Sequence, residues 1–289
     1  MITCNNIGQL RRQISDWRNA GESIAFVPTM GNLHAGHLSL VEIAKQKARR
    51  VVVSIYVNPL QFSPDEDFES YPRTQEEDIK KLDQLETDLV FLPDTSMIYP
   101  RGEQRSSYVE VPELSHIIEG KFRPGFFKGV ATVVLKLFNM VQPDIAVFGE
   151  KDFQQLLIIR QMVEDMHLPV KIIGAETKRE PDGLAMSSRN NYLNSSDREN
   201  SCALSAALRQ FKAQLEQGTG IEQAEKNCVK HLEKYGFSVD YVTLRETSRL
   251  DIVSNSDINS HKELIILAAA KIGKTRLIDN VKFTVVSSD

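Results

Sequence analysis

Two histidines stand three residues apart at the end of a short apolar run, in Phe26-Val27-Pro28-Thr29-Met30-Gly31-Asn32-Leu33-His34-Ala35-Gly36-His37. The stretch reads as a strand, a tight glycine turn and the first turn of a helix. N–H groups at a helix start lack intrahelical partners and point outward, and the dipole there favours anions. Two imidazoles add donors for phosphate oxygens, and Gly31 and Gly36 let the backbone approach a ligand closely. The chemistry this suits is the grip of Met30 through His37 on a nucleoside triphosphate. His-x-x-His spacing also fits a metal, but no third ligand stands at a recognisable spacing. A helix start that merely contains two histidines is the remaining alternative.

Three other stretches carry candidate groups. Gly149-Glu150-Lys151-Asp152 joins a strand to a helix, where amides could meet a nucleotide and Lys151 supplies a point charge to phosphate. A surface turn of mixed charge is the plainer alternative. Met186-Ser187-Ser188-Arg189 offers two hydroxyls and a guanidinium after Pro181-Asp182-Gly183, although in isolation the tetrapeptide reads as a Ser-rich loop. Gln61 follows a buried strand; its amide can donate and accept, yet taken alone it reads as a solvent-facing side chain. Thr74 and Glu77 have the spacing of a capping box, which leaves Glu77 a structural job. The chain has no obvious Ser-His-Asp or Cys-His arrangement, and His116, His167, His231 and His261 stand alone.

These groups need a scaffold. Ile7, Leu10, Ile14 and Trp17 recur at helical spacing, and Gly21 ends that helix. Strands are expected at 24–28, 51–57, 89–92, 145–148 and 170–174, with helices at 37–49, from Thr74 to about 86, 129–141 and 153–165. Alternation of this kind implies a Rossmann-like, doubly wound parallel sheet, with ligands beyond the carboxyl ends of its strands. Met30, Gln61, Gly149 and Lys151 all follow an expected strand. After about 176 the pattern becomes two helices, 196–217 and 221–235, then strands at 239–244, 263–270 and 275–278, the last two flanking a hairpin at Ile272-Gly273-Lys274. The expected division is a nucleotide-binding α/β domain over 1–176 and a smaller α+β lid over 177–289.

Composition narrows the partners. The 289 residues are 41% hydrophobic and 26% charged, which is globular, and the formal net charge of −4 argues against a nucleic-acid footprint. No signal-peptide pattern opens the chain, and no apolar run approaches the roughly 18 residues of a membrane span. Cys4, Cys202 and Cys228 are scattered and suit a reducing, cytoplasmic setting.

Pro28-Thr29-Met30-Gly31-x-Leu33-His34-x-Gly36-His37 resembles the nucleotide-binding motif of the pantoate–β-alanine ligase family, a branch of the nucleotidyltransferases with a His-x-Gly-His signature. Asn58-Pro59-Leu60-Gln61-Phe62, Tyr71-Pro72-Arg73-Thr74, Phe148 through Gln155 and Asp182 through Asn190 match the same family in order, so the resemblance runs from residue 26 to 190. It implies ATP-dependent condensation of (R)-pantoate with β-alanine to pantothenate, a coenzyme A precursor. AMP and diphosphate are released, through a pantoyl adenylate.

By this resemblance His34, His37, Lys151 and Arg189 are catalytic. Met30–His37, Gly149–Asp152, Lys178 (through its backbone) and Met186–Arg189 bind ATP. Gln61 and Gln155 bind pantoate, and Gln61 also meets β-alanine. Asp78 lies where family members hold Mg²⁺, but Lys81 replaces a Gln found one helical turn later, which weakens a protein-held metal. Met186–Arg189 resembles a degenerate Lys-Met-Ser-Lys-Ser loop. Phe122 through Gly129 looks like a substrate-side loop. A homodimer is expected. Among rivals, other adenylyl- and cytidylyltransferases carry Gly-x-Phe-Asp-Pro where this chain has Met30-Gly31-Asn32-Leu33. An aminoacyl-tRNA synthetase is disfavoured by the short, acidic chain, and a non-catalytic nucleotide sensor by the four charged or imidazole groups together.

Overall fold

The computed structural model describes residues 1–63, 66–258 and 262–284; His261 lies outside them. The chain divides into two compact units, Met1–Glu150 with Gln155–Glu176, and Lys151–Gln154 with Thr177–Asp289. Strand–helix alternation had assigned Lys151–Gln154 to the first; in the fold this segment groups with the second.

The elements of the first unit alternate as β1 (Ile2–Cys4), α1 (Ile7–Asn19), β2 (Ile24–Thr29), α2 (Ala35–Lys47), β3 (Arg50–Ile55), α3 (Gln75–Gln84) and β4 (Leu89–Phe91). Short helices α4 (Thr95–Ile98) and α5 (Glu119–Phe122) precede α6 (Phe126–Val141), β5 (Ile145–Gly149), α7 (Phe153–Asp165) and β6 (Lys171–Ala175). All six strands are parallel, in the order β1-β4-β3-β2-β5-β6. This is the expected doubly wound sheet. The order grows from β2 in both directions, so the switch point lies between β2 and β5, and the turns leaving both strands open at the same edge.

The central strands are apolar on both faces because helices cover both, as Val51, Val52 and Val53 show. Each such side chain contributes on the order of 1.5–3 kcal/mol by leaving water. β1 escaped the sequence reading because three residues are too short to display a period. α6 starts three residues earlier than expected, with Gly125 in the left-handed region just before it.

The second unit contains α8 (Ser195–Ser201), α9 (Ala203–Glu216) and α10 (Ile221–Lys234) beside an antiparallel sheet, β7 (Phe237–Glu246), β8 (Glu263–Ile272) and β9 (Thr275–Thr284). The single helix expected over 196–217 is broken at Cys202. There the Ser201 and Ser205 hydroxyls donate back to the carbonyls of Arg198 and Cys202, a contact that bends helices. The β8–β9 hairpin forms as expected, with Gly273 at φ +55°. β9, however, runs well beyond the expected stop at Ile278, through Asp279 and Asn280.

Candidate functional site

The turn leaving β2 is built by close approach. Gly31 has φ +82°, and a Cβ there would lie 3.0 Å from Ile55 Cγ2 and 3.1 Å from Asp78 Oδ2. Asn32 follows at φ +50°. The Asn32 and Leu33 N–H groups donate to Asp78 Oδ2 and Oδ1 at 2.8 and 2.7 Å. Lys81 Nζ donates to the Leu33 carbonyl at 2.8 Å, and Leu33 itself is buried.

His34 is the N-cap of α2, where its Nδ1 accepts the Gly36 N–H at 3.1 Å. The His34 N–H in turn meets His37 Nδ1 at 3.4 Å, and the two rings lie 4.1 Å apart. The histidines thus form a capping box between themselves. A neutral imidazole whose Nδ1 accepts carries its proton on Nε2, so this geometry selects the Nε2–H tautomer in both rings.

Two expectations change here. The amides of Asn32 and Leu33 are taken by Asp78, and those of His34 and Gly36 by the two imidazoles, so these four N–H groups do not form the anion cradle expected there. Asp78 is also reassigned. It is fully buried, each oxygen accepts a backbone N–H, and Oδ2 takes the Thr74 hydroxyl at 3.1 Å as well. A carboxylate so occupied does not fit a Mg²⁺ ligand, and among the described residues no cluster of three or more His, Cys, Asp or Glu is placed to hold a metal. The same bond corrects the capping box at Thr74, which makes no side-chain cap to α3.

Gln61 ends a short 3₁₀ turn, Pro59–Gln61, after β3. α6 packs directly on this turn, since a Cβ on Gly129 would fall 2.1 Å from the Leu60 carbonyl oxygen. Fully buried Asn58 orients the Gln61 side chain. Its Nδ2 donates to Gln61 Oε1 at 3.1 Å and to the Gly129 carbonyl at 3.2 Å. The Tyr99 hydroxyl donates to Asn58 Oδ1 at 2.8 Å, which fixes which way the amide lies. Gln61 Oε1 is therefore an acceptor in use, and its Nε2 is the donor it presents.

Arg123 grips the same residue from behind. Its Nη2 donates to the Gln61 carbonyl at 3.0 Å, its fork meets Glu66 at 2.7 Å through Nε and Nη2, and it stacks 3.7 Å from the Phe126 ring centre. Sequence reading saw Asn58 and Arg123 only inside matched or loop segments. A polar residue straight after a β-branched strand was the available signal for Asn58. At the start of α7, Gln154 is buried and Gln155 half-buried, which leaves Gln155 the more accessible of the pair.

In the second unit, Lys151 keeps 19% side-chain exposure, and its Nζ lies 4.0 Å from the Asp152 carboxylate. Lys178 is exposed, and its carbonyl accepts the Met186 N–H at 3.0 Å, closing a hairpin between 178 and 186. Met186–Arg189 therefore leaves an anchored hairpin and enters a 3₁₀ turn, Ser188–Tyr192, instead of lying in an open loop. Ser187 caps that turn by accepting the Arg189 N–H at 3.3 Å.

A parallel doubly wound sheet with an imidazole-capped helix start at its switch point defines an α/β protein of the nucleotide-binding type. A family model described as Pantoate-beta-alanine ligase matches residues 2–282. A pantothenate synthetase of Shewanella amazonensis is 50% identical over 98% of this chain and 100% of its own length, and one of Methylococcus capsulatus is 53% identical over 94% of both. The crystal structure of pantothenate synthetase from Thermus thermophilus superposes with a TM-score of 0.90 at 40% identity, covering 99% of this chain and 100% of that one. The Francisella tularensis ligase, complexed with β,γ-ATP and β-alanine, superposes at 0.79 with 37% identity over 97% of each chain. The chain belongs to the pantoate–β-alanine ligase family. As a member it is an enzyme that condenses pantoate with β-alanine using ATP, making the coenzyme A precursor pantothenate.

Proposed function

We propose that the residues described above divide the two half-reactions as follows. In the first, a pantoate carboxylate oxygen attacks the α-phosphorus of ATP, and diphosphate leaves with the bonding electron pair. In the second, the β-alanine amine attacks the acyl carbon of pantoyl adenylate, AMP leaves, and the nitrogen gives up a proton. A carboxylate is already ionised at neutral pH, so the first step requires alignment and charge neutralisation in place of a protein nucleophile.

His34 and His37 donate Nε2–H to the triphosphate. Lys151 and Arg189 neutralise charge that builds as diphosphate departs, with Ser187 and Ser188 beside them. Gln61 and Gln155 hold pantoate, Gln61 as a donor through Nε2. No protein carboxylate is assigned to Mg²⁺, because Asp78 serves the turn. The observation that carries this reading is the paired-imidazole cap, in which both Nδ1 atoms accept backbone N–H groups and the ring proton of each neutral imidazole therefore sits on Nε2. A cytoplasmic homodimer is proposed from the family resemblance alone; sedimentation of the purified protein tests the assembly.

The reaction is tested by omitting each substrate in turn. Diphosphate is expected when ATP and pantoate are both present, and AMP and pantothenate only when β-alanine is added as well. Formation of ADP in place of AMP overturns adenylation.

A further inference from the structure

Charge and amide groups in the middle of β9 serve no core. The strand buries Thr275, Leu277 and Asp279 in alternation, and then Asn280 is buried as well, so at this point both faces of the strand are covered. An ionised carboxylate on a core face needs a paired cation. Arg179 supplies it as a fork, with Nη1 to Asp279 Oδ2 at 2.7 Å and Nη2 to Oδ1 at 2.9 Å. The same guanidinium donates to the Gly183 carbonyl at 3.1 Å and to the Asn280 carbonyl at 3.2 Å. Asp279 thereby pins the hairpin that leads into Ser187–Arg189. Asn280 Nδ2 points to a different segment and donates to the Lys151 carbonyl at 3.0 Å.

Successive strand residues face opposite ways. Two neighbours on one rigid strand can therefore hold two segments far apart in sequence. We infer that Asp279 and Asn280 are positioning residues for the reaction: Asn280 fixes the main chain from which Lys151 reaches out, and Asp279, through Arg179, fixes the hairpin that carries Arg189. The inference rests on the reading of Lys151 and Arg189 as phosphate-facing groups. It assigns the link between the two cations to the smaller unit's own sheet.

The test is a double-mutant cycle on pantoate-dependent exchange of labelled diphosphate into ATP. Asn280→Ala is expected to lower the exchange rate about 10- to 100-fold while the thermal midpoint stays within a few degrees. Asn280→Leu, close in volume and lacking the donor, should behave alike and guards against a folding artefact. In a Lys151→Ala background either change should cost less than about threefold, because the group it positions is gone. Losses that multiply in full on Lys151→Ala overturn the positioning role, as does an unchanged exchange rate in both single variants. If Lys151→Ala itself leaves exchange intact, the assignment of Lys151 fails, a result separate from the first. Arg179→Lys keeps the charge and loses the fork; it should lower kcat more than it raises the KM for ATP, and an unmoved kcat overturns the hairpin half of the proposal.

Discussion

The β2 turn and the segments carrying Lys151 and Arg189, to which we assign the same chemistry, are held by different means. His34, Gly36 and His37 fix one another within a single helical turn, and one buried carboxylate, Asp78, completes the arrangement from α3. Lys151 and the 178–186 hairpin are anchored from β9, through bonds that span 129 and 100 residues of chain. Local bonding makes the first site a motif that its own dozen residues nearly specify. Distant anchoring makes the second a property of the folded unit, in which the residues that look catalytic are not the ones that hold them in place.

That contrast can be tested at decreasing size of effect. Lys151→Ala should fold normally and lose on the order of 10²–10³ in pantoate-dependent exchange, the usual cost of removing one preorganised charge-stabilising group; near-normal turnover would remove it from the site. Asp78→Ala should strike stability as well as rate, because it strands two amide donors in a dry turn at about 1–3 kcal/mol each. Raising Mg²⁺ should not restore its activity. Rescue by Mg²⁺ would return Asp78 to the metal and dissolve the structural half of the comparison.

A smaller effect in the first unit depends on pH. Burial pushes the Tyr56 phenol up to about 12 from 10.0. The folded state then holds that proton more tightly than the unfolded chain, so the contribution is complete below pH 10 and is lost as pH rises through 12. It amounts to roughly 2 kcal/mol. The thermal midpoint should fall over that window, and Tyr56→Phe should flatten the fall; an unchanged slope removes Tyr56 as its source. The smallest test is chemical. Cys228 is buried, and burial lifts its thiol to about 12, whereas Cys202 is half-exposed. A thiol reagent should modify Cys202 first and leave Cys228 unreacted until the protein unfolds; equal rates would show that the second unit opens in the native state.

What could be read in advance follows the same division. The parallel sheet was legible because strands such as Val51–Val53 are β-branched and helices such as α1 show their period. The histidine pair was legible because the two rings and the amides they cap lie within four residues of one another. Asp78 was misassigned because an acid in a first helical turn looks alike whether it faces a metal, solvent or two amides. β9 was cut short at Ile278 because Asp-Asn reads as a strand breaker, a composition that strands ordinarily avoid. The half-buried Arg179 fork, invisible until the chain closes, is what lets the buried Asp279 stay in the strand.

Residue types and short spacings were enough for the α/β class, the order of most elements and the family resemblance. Tertiary structure alone decided which ring nitrogen each histidine offers, that Asp78 holds a turn, that Gln61 presents its amide N–H, and that Asp279 and Asn280 anchor Lys151 and the 178–186 hairpin. Each of these is a hydrogen bond between groups distant in sequence or set by the local backbone path. Its direction exists only once burial has removed water as the competing partner.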